Sequence, residues 1–310
     1  MVRHKPLLVP TLDIVFKMML SAPACESALT ALLTAILKPS QAIKVARVLN
    51  PEVPRRSIDD KGTILDILAE MADGSRINIE MQASNTGVIQ PRALYYWART
   101  HADQLRRGQD YGELRATVAI FLLNFAEFKG IPDTFHHTFR IQHQHCPAVY
   151  LPQLRIDFIE LPRLPLVLPG EGQLPVDERL TVWGRFLRNP NDPEIAEVLM
   201  GDNVFKKAKE RLVEISDDPN SRELARLREK AQIDYMLSIS AARKAGIEEG
   251  EAKGRAEGKA EGEAKSRVEI AQRILAGPAD AMPSDEEVAR LTGLTVAEIV
   301  ELRRRSSKSP

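Results

Sequence analysis

The segment SRINIEMQ (75–82) alternates cleanly, with Ile77, Ile79 and Met81 on one side of an extended chain and Arg76, Asn78, Glu80 and Gln82 on the other. Upstream, Asp66 stands in TILDILAE (63–70) among Ile64, Leu65, Ile67 and Leu68. A carboxylate in that setting is either buried at a cost of several kcal/mol or compensated by a partner. A divalent cation would compensate it. Two acids on adjacent strands, with a backbone carbonyl and waters, form an oxygen-rich set suited to Mg²⁺ or Mn²⁺ rather than zinc. Such an ion activates water and offsets charge developing on a phosphodiester oxygen. Gln82 faces the same way as Glu80 and would orient that water; being neutral, it brings no positive charge, for which Lys61 and Lys17 are the candidates.

Whether Asp66 and Glu80 meet depends on the turn between their segments. With a two-residue loop, Asp73-Gly74, residue 72 pairs with 75 and the two carboxylates fall on opposite faces. With a three-residue loop, Ala72-Asp73-Gly74, and Gly74 in the left-handed conformation, residue 71 pairs with 75 and Asp66 lies opposite Glu80. Directly opposed strand residues have Cβ atoms about 5 Å apart, where like charges repel unless a cation or proton intervenes. The shared site therefore requires the three-residue loop.

The elements that must hold these residues follow from periodicity. Residues 26–37 (ESALTALLTAIL) space Ala28, Leu29, Leu32, Leu33 and Ile36 as one helix face, ended by Pro39. A strand over 42–50, the hairpin, a long helix over 88–107 closed by Gly108, and a buried strand over 116–125 come next. Strand candidates HHTFRIQHQ and LRIDFIEL are separated by Pro147 and Pro152, and beyond the Pro-rich loop 162–175 the pattern turns helical. From Gly246 to Lys265 the even positions are Gly or Ala apart from Glu248. Glycines in a helix cost about 1 kcal/mol each, so this stretch reads as a solvated, partly helical tether, with Gly-mediated pairing of two copies as the alternative. Residues 283–303 give two short helices with capping boxes, Ser284 with Glu287 and Thr295 with Glu298.

Composition narrows the function classes. Forty-three Lys and Arg balance 43 Asp and Glu in 310 residues, which excludes a globally basic nucleic-acid coat protein and leaves a local basic cleft open. Two cysteines exclude a disulfide scaffold or a Cys-rich zinc site. The opening MVRHKPLLVPTLD lacks a signal-peptide core, and no run of about 18 apolar residues occurs. A cytoplasmic, soluble protein without membrane contact is expected.

Asp66, then Glu80-Met81-Gln82 after a hairpin and followed by helix and strand, resembles the PD-(D/E)XK nuclease core, in the version found in the Rpn family of recombination-promoting nucleases, often labelled transposases. Further matching pieces are Asp13-Ile-Val-Phe16-Lys17, Asp60-Lys61 with Ile64-Leu65-Asp66, Arg92-Ala-Leu-Tyr-Tyr96, and Gln104 through Gly108 to Tyr111. The resemblance covers residues 11–125 well and continues loosely to about 240. It implies an α/β fold, with a mixed sheet flanked by helices and a helical C-terminal half. It also implies a metal-dependent DNA endonuclease with Asp66 and Glu80 as ligands, Gln82 in the place usually held by Lys, and Asp13 and Lys17 at the edge of the site.

On the 88–107 helix, Arg92, Tyr96, Arg99 and Arg106 share one stripe, where arginines would grip DNA phosphates beside an aromatic ring, or else form a solvated face. Four of the six histidines crowd into 136–145 without a persuasive ligand spacing. ARLTGLTVAEIVELR (289–303) has helix-turn-helix spacing about Gly293, and an oligomer cap fits it as well. The expected organisation is a nuclease-like core over 1–165, a helical extension over 166–245, the tether over 246–267 and a helix pair over 268–310. Two competing readings are a catalytically inactive DNA-binding or oligomerising protein on the same scaffold and a protein-only interaction module.

Overall fold

A computed structural model of the chain describes residues 6–40, 42–50, 66–131, 133–165, 176–195, 201–277 and 282–306. The chain divides after Asp234 into two compact units. In the first, helix α1 (Asp13–Leu20) and helix α2 (Glu26–Leu37) precede strands β1 (Val45–Val48), β2 (Ile67–Met71) and β3 (Arg76–Gln82). Helix α3 (Ile89–Ala102) leads to β4 (Thr117–Leu123), β5 (His136–His143) and β6 (Cys146–Glu160). Helices α4 (Val176–Arg188), α5 (Asn203–Asp217) and α6 (Pro219–Leu275) follow. The strands form one mixed sheet in the order β1-β2-β3-β4-β6-β5. The β3-β4 and β4-β6 pairs are parallel and the others antiparallel. Helix α3 makes the crossover that a parallel β3-β4 pair demands.

The alternation in β3 sorts the two faces. Ile77, Ile79 and Met81 join Ile67, Ala69 and Met71 in a large core with α1, α2, α4 and α5, around Phe16, Leu33 and Trp183. On the opposite face Ala119, Phe121 and Phe158 pack against Ile89, Ala93 and Tyr96. Asn78 and Glu80 are buried on that side without joining an apolar cluster. No single helix among the described residues is long and apolar enough to cross a membrane; α1 and α2 with the bend between them come nearest in composition, and their apolar faces line the core.

The turn takes the three-residue form. Met71 N–H donates to Ser75 O at 2.9 Å, Gly74 N–H to Met71 O at 2.9 Å, and Gly74 has φ +83°. The pairs Ile67 with Ile79 and Ala69 with Ile77 continue the register.

Several expected elements differ, each for a tertiary reason. Helix α3 ends at Ala102 rather than 107, because the Gln104 side-chain amide accepts from Arg115 N–H at 3.0 Å and donates to Arg115 O at 3.0 Å, pulling the chain aside toward the start of β4. Strand β6 runs through Pro152, which precedes the point where β4 begins opposite Leu154, so the missing N–H leaves no ladder position empty on that side. The 246–267 segment is helical throughout rather than in part, as a solvated portion of α6. Its glycines are outweighed by Ala, Glu and Lys neighbours and by i,i+4 pairs such as Lys253 with Glu257. Helix α1 has no counterpart in the periodicity reading.

In the second unit, α7 (Asp285–Thr292) and α8 (Val296–Ser306) form a small core, where Val288 and Ile299 meet Ala271 and Leu275. The expected box at Thr295 and Glu298 is complete, and at Ser284 the hydroxyl accepts Glu287 N–H as the cap of α7.

Adding a Cβ at Gly74 would force a side chain into a left-handed conformation with Arg115 Cγ 3.3 Å away. Gly74→Ala is expected to destabilise the protein by about 1–2 kcal/mol, measured as a lower midpoint of urea unfolding.

Candidate active site at the carboxyl end of β3

Continuing the register by one residue sets Asp66, just before β2, opposite Glu80. Direct bonds agree with that placement: Asp66 N–H donates to Glu80 Oε1 at 3.4 Å, and Met81 N–H donates to Asp66 Oδ2 at 2.5 Å. Glu80 is 1% exposed, and Asp66 is half-buried.

Around this pair the polar face of β3 forms a relay. Asn78 donates from Nδ2 to Glu80 Oε1 at 3.2 Å, and Gln82 from Nε2 to Glu80 Oε2 at 3.4 Å. Arg92, one turn into α3, donates from Nη1 to Gln82 Oε1 at 3.3 Å and holds Nη2 3.8 Å from Glu80 Oε2. Its guanidinium carbon lies 5.0 Å from the centre of the Tyr96 ring. The Gln82 amide is thereby fixed, with its oxygen toward the arginine and its nitrogen toward the carboxylate.

Helix α1, packed against β3, brings Asp13 and Lys17 to the same region, four residues apart on one face. Asp13 accepts Ile14 N–H at 2.8 Å and is gripped by the guanidinium of Arg228 in α6, whose Nε donates at 2.9 and 3.0 Å and whose Nη2 donates as well. Lys17 is 4% exposed.

Three carboxylates and three cationic groups share a poorly solvated region, and their proton affinities reflect it. Burial pushes Glu80 up to about 7, with Asp13 adding to the rise, while Arg92, Asn78 and the Asp66 N–H oppose it. Burial, then Glu80 and Asp13, raise Asp66 well above the carboxylate range, against the Met81 N–H and Arg92. Burial lowers Lys17, and Asp66 and Glu80 pull it back up. Opposed carboxylates without a cation between them must behave this way, because the charged forms repel and are starved of water.

Among the described residues no three His, Cys, Asp or Glu side chains form a ligand set by themselves. The two opposed oxygen ligands nonetheless fit a hard cation that keeps several waters, the ordinary habit of Mg²⁺.

The structure gathers Asp66, Glu80, Gln82, Asp13 and Lys17. Lys61 lies outside the described residues. The stripe expected on α3 does not form one surface: Arg92 turns inward, Tyr96 is 9% exposed and packs in the core, Arg99 is solvated beside Asp103, and Arg106 lies past the end of the helix. Asn78 is part of the site and was readable from its parity with Glu80. Arg228 is 215 positions from Asp13, and no local pattern announces it.

In cation-free protein the folded state holds the Glu80 proton more tightly than the unfolded chain, so stability is highest below the ordinary value of 4.5 and falls as pH rises through about 7. Glu80→Gln removes that fall and should be the more stable protein above this interval in chelator-containing denaturation experiments. Arg228→Ala leaves Asp13 without its guanidinium and should lower unfolding free energy by about 1–3 kcal/mol, read from urea denaturation.

No curated protein and no solved structure matches the chain. The family model described as PD-(D/E)XK nuclease family transposase matches residues 10–242, a span that takes in α1, the whole sheet, the paired carboxylates and Arg228. The chain belongs to that family.

Proposed function

We propose that the protein is a metal-dependent DNA endonuclease that hydrolyses phosphodiester bonds in recombination or in the movement of genetic elements. The observation that carries this reading is the opposition of Asp66 and Glu80 beside Gln82, at the carboxyl end of a strand in a nuclease-family sheet. Asp66 and Glu80 would hold Mg²⁺ or Mn²⁺, which when bound lowers the pKa of water and offsets negative charge on the phosphodiester.

The chain's own residues then have separable tasks. Asn78 and the Asp66 N–H fix Glu80 Oε1, so that carboxylate keeps one orientation. Gln82, held between Glu80 and Arg92, has a second amide hydrogen with which to orient the attacking water. Being neutral, it leaves charge stabilisation to others. Lys17 supplies that charge from α1, where burial lowers its proton affinity and Asp66 and Glu80 oppose that fall. Arg92 contributes a second positive charge within reach of the phosphate, with Tyr96 supporting it from below. Arg99, exposed on α3, and Arg106 beyond it would meet the DNA backbone outside the site. The cytoplasm is the expected place of action.

The test is nicking of supercoiled DNA with Mg²⁺ or Mn²⁺. Asp66→Ala and Glu80→Ala should each lose more than about a hundredfold in rate, the scale of removing one preorganised electrostatic group, and Lys17→Met should lose activity while keeping DNA affinity. Equal nicking by wild type and both acid variants assigns the activity to a contaminant. Salt-dependent DNA binding without cutting by the wild type favours a non-catalytic DNA-binding role.

A further inference from the structure

Strands β5 and β6 continue past the body of the sheet as a two-stranded ribbon. Strand β4 begins only at Thr117, opposite Leu154, and every residue from Thr138 to Gln153 is exposed. A ribbon with both faces in solvent is the shape that the major groove of duplex DNA admits. Residues 134–156 contain no Asp or Glu, although 43 of the 310 residues in the chain are acidic. Phosphate repulsion is therefore absent along its whole length.

The polar face carries groups that pair with base edges. Gln142 lies opposite Tyr150, and the Arg140 guanidinium sits 5.3 Å over the Tyr150 ring, so the three form one exposed cluster. Arginine pairs with guanine and glutamine with adenine in the major groove, and a tyrosine ring offers a stacking surface. The opposite face pairs Ile141 with Leu151, apolar side chains of the kind that meet thymine methyl groups.

We propose that this ribbon is a second DNA contact, seated in the major groove of the duplex at a distance from the cutting site. The proposal rests on the nuclease reading above. Gln82, Leu123 and Glu160 are aligned across β3, β4 and β6, so the ribbon leaves from the opposite end of the strands to Glu80. Tyr150 precedes Phe158, which is level with Glu80, by eight residues of β6, which at about 3.3 Å each puts the Arg140, Gln142 and Tyr150 cluster about 26 Å from the carboxylates along the strands. At 3.4 Å per base pair this is roughly 8 base pairs, so a duplex well above that length reaches both contacts and one below it does not.

The experiment uses the full chain carrying Asp66→Ala, so that DNA is bound and not cut, with and without the triple substitution Arg140→Ala, Gln142→Ala and Tyr150→Ala. Binding is followed by fluorescence anisotropy on a hairpin-closed duplex of about 6 base pairs and on one of about 30 base pairs, with light scattering on the same samples. The expected result is at least tenfold weaker binding of the long duplex by the ribbon variant, with the short duplex unchanged. Unchanged affinity for the long duplex, or equal loss on both, overturns the proposal. A change in oligomeric state accompanying the loss assigns the ribbon to contact with a second copy and overturns it too. Failure of the parent protein to bind either duplex instead overturns the DNA reading as a whole.

Discussion

Two carboxylates facing one another across an antiparallel strand pair repel, and the first unit of this protein is arranged to hold Asp66 and Glu80 in that position. The turn sets them opposite, through a left-handed Gly74 that lets residue 71 pair with residue 75. A register one residue different would separate them onto two faces. The large apolar core then locks the register, because Ile67, Ala69, Ile77 and Ile79 all point into it. Burial of one face thus fixes the chemistry of the other.

That chemistry is kept in a poised state. Glu80 has fully used its hydrogen-bonding neighbours and still titrates near neutrality because burial dominates. Such a group resists ionisation alone and ionises readily beside a cation. The positive groups come from three separate helices, Lys17 from α1, Arg92 from α3 and Arg228 from α6, so the site is also a junction of the fold. The Asp13 and Arg228 pair makes the start of α6 part of the site's support, in keeping with a family match that extends to residue 242.

The glycine repeat of α6 shows the limit of propensity arguments. Each glycine weakens a helix by about 1 kcal/mol, yet the segment stays helical because a long helix is propagated and not nucleated at each turn. Charged neighbours at i,i+4 add small favourable terms along it.

Local pattern left two registers open at Gly74, while it was sufficient for the face of β3 that carries Asn78, Glu80 and Gln82, for α2 and for the C-terminal caps at Ser284 and Thr295. These depend on neighbours within a few residues, where spacing and backbone sterics act directly. The inward turn of Arg92, the early end of α3 under the pull of Gln104, the path of β6 through Pro152 and the clasp of Arg228 on Asp13 were decided only in three dimensions. Each depends on a partner distant along the chain or on a strand that ends beside it, and such partners leave no periodic trace. The sequence by itself determined which acids share a polar face and would meet across a three-residue turn, since alternation is local. The tertiary structure decided which cations stand beside them, because burial and charge balance belong to the packed molecule.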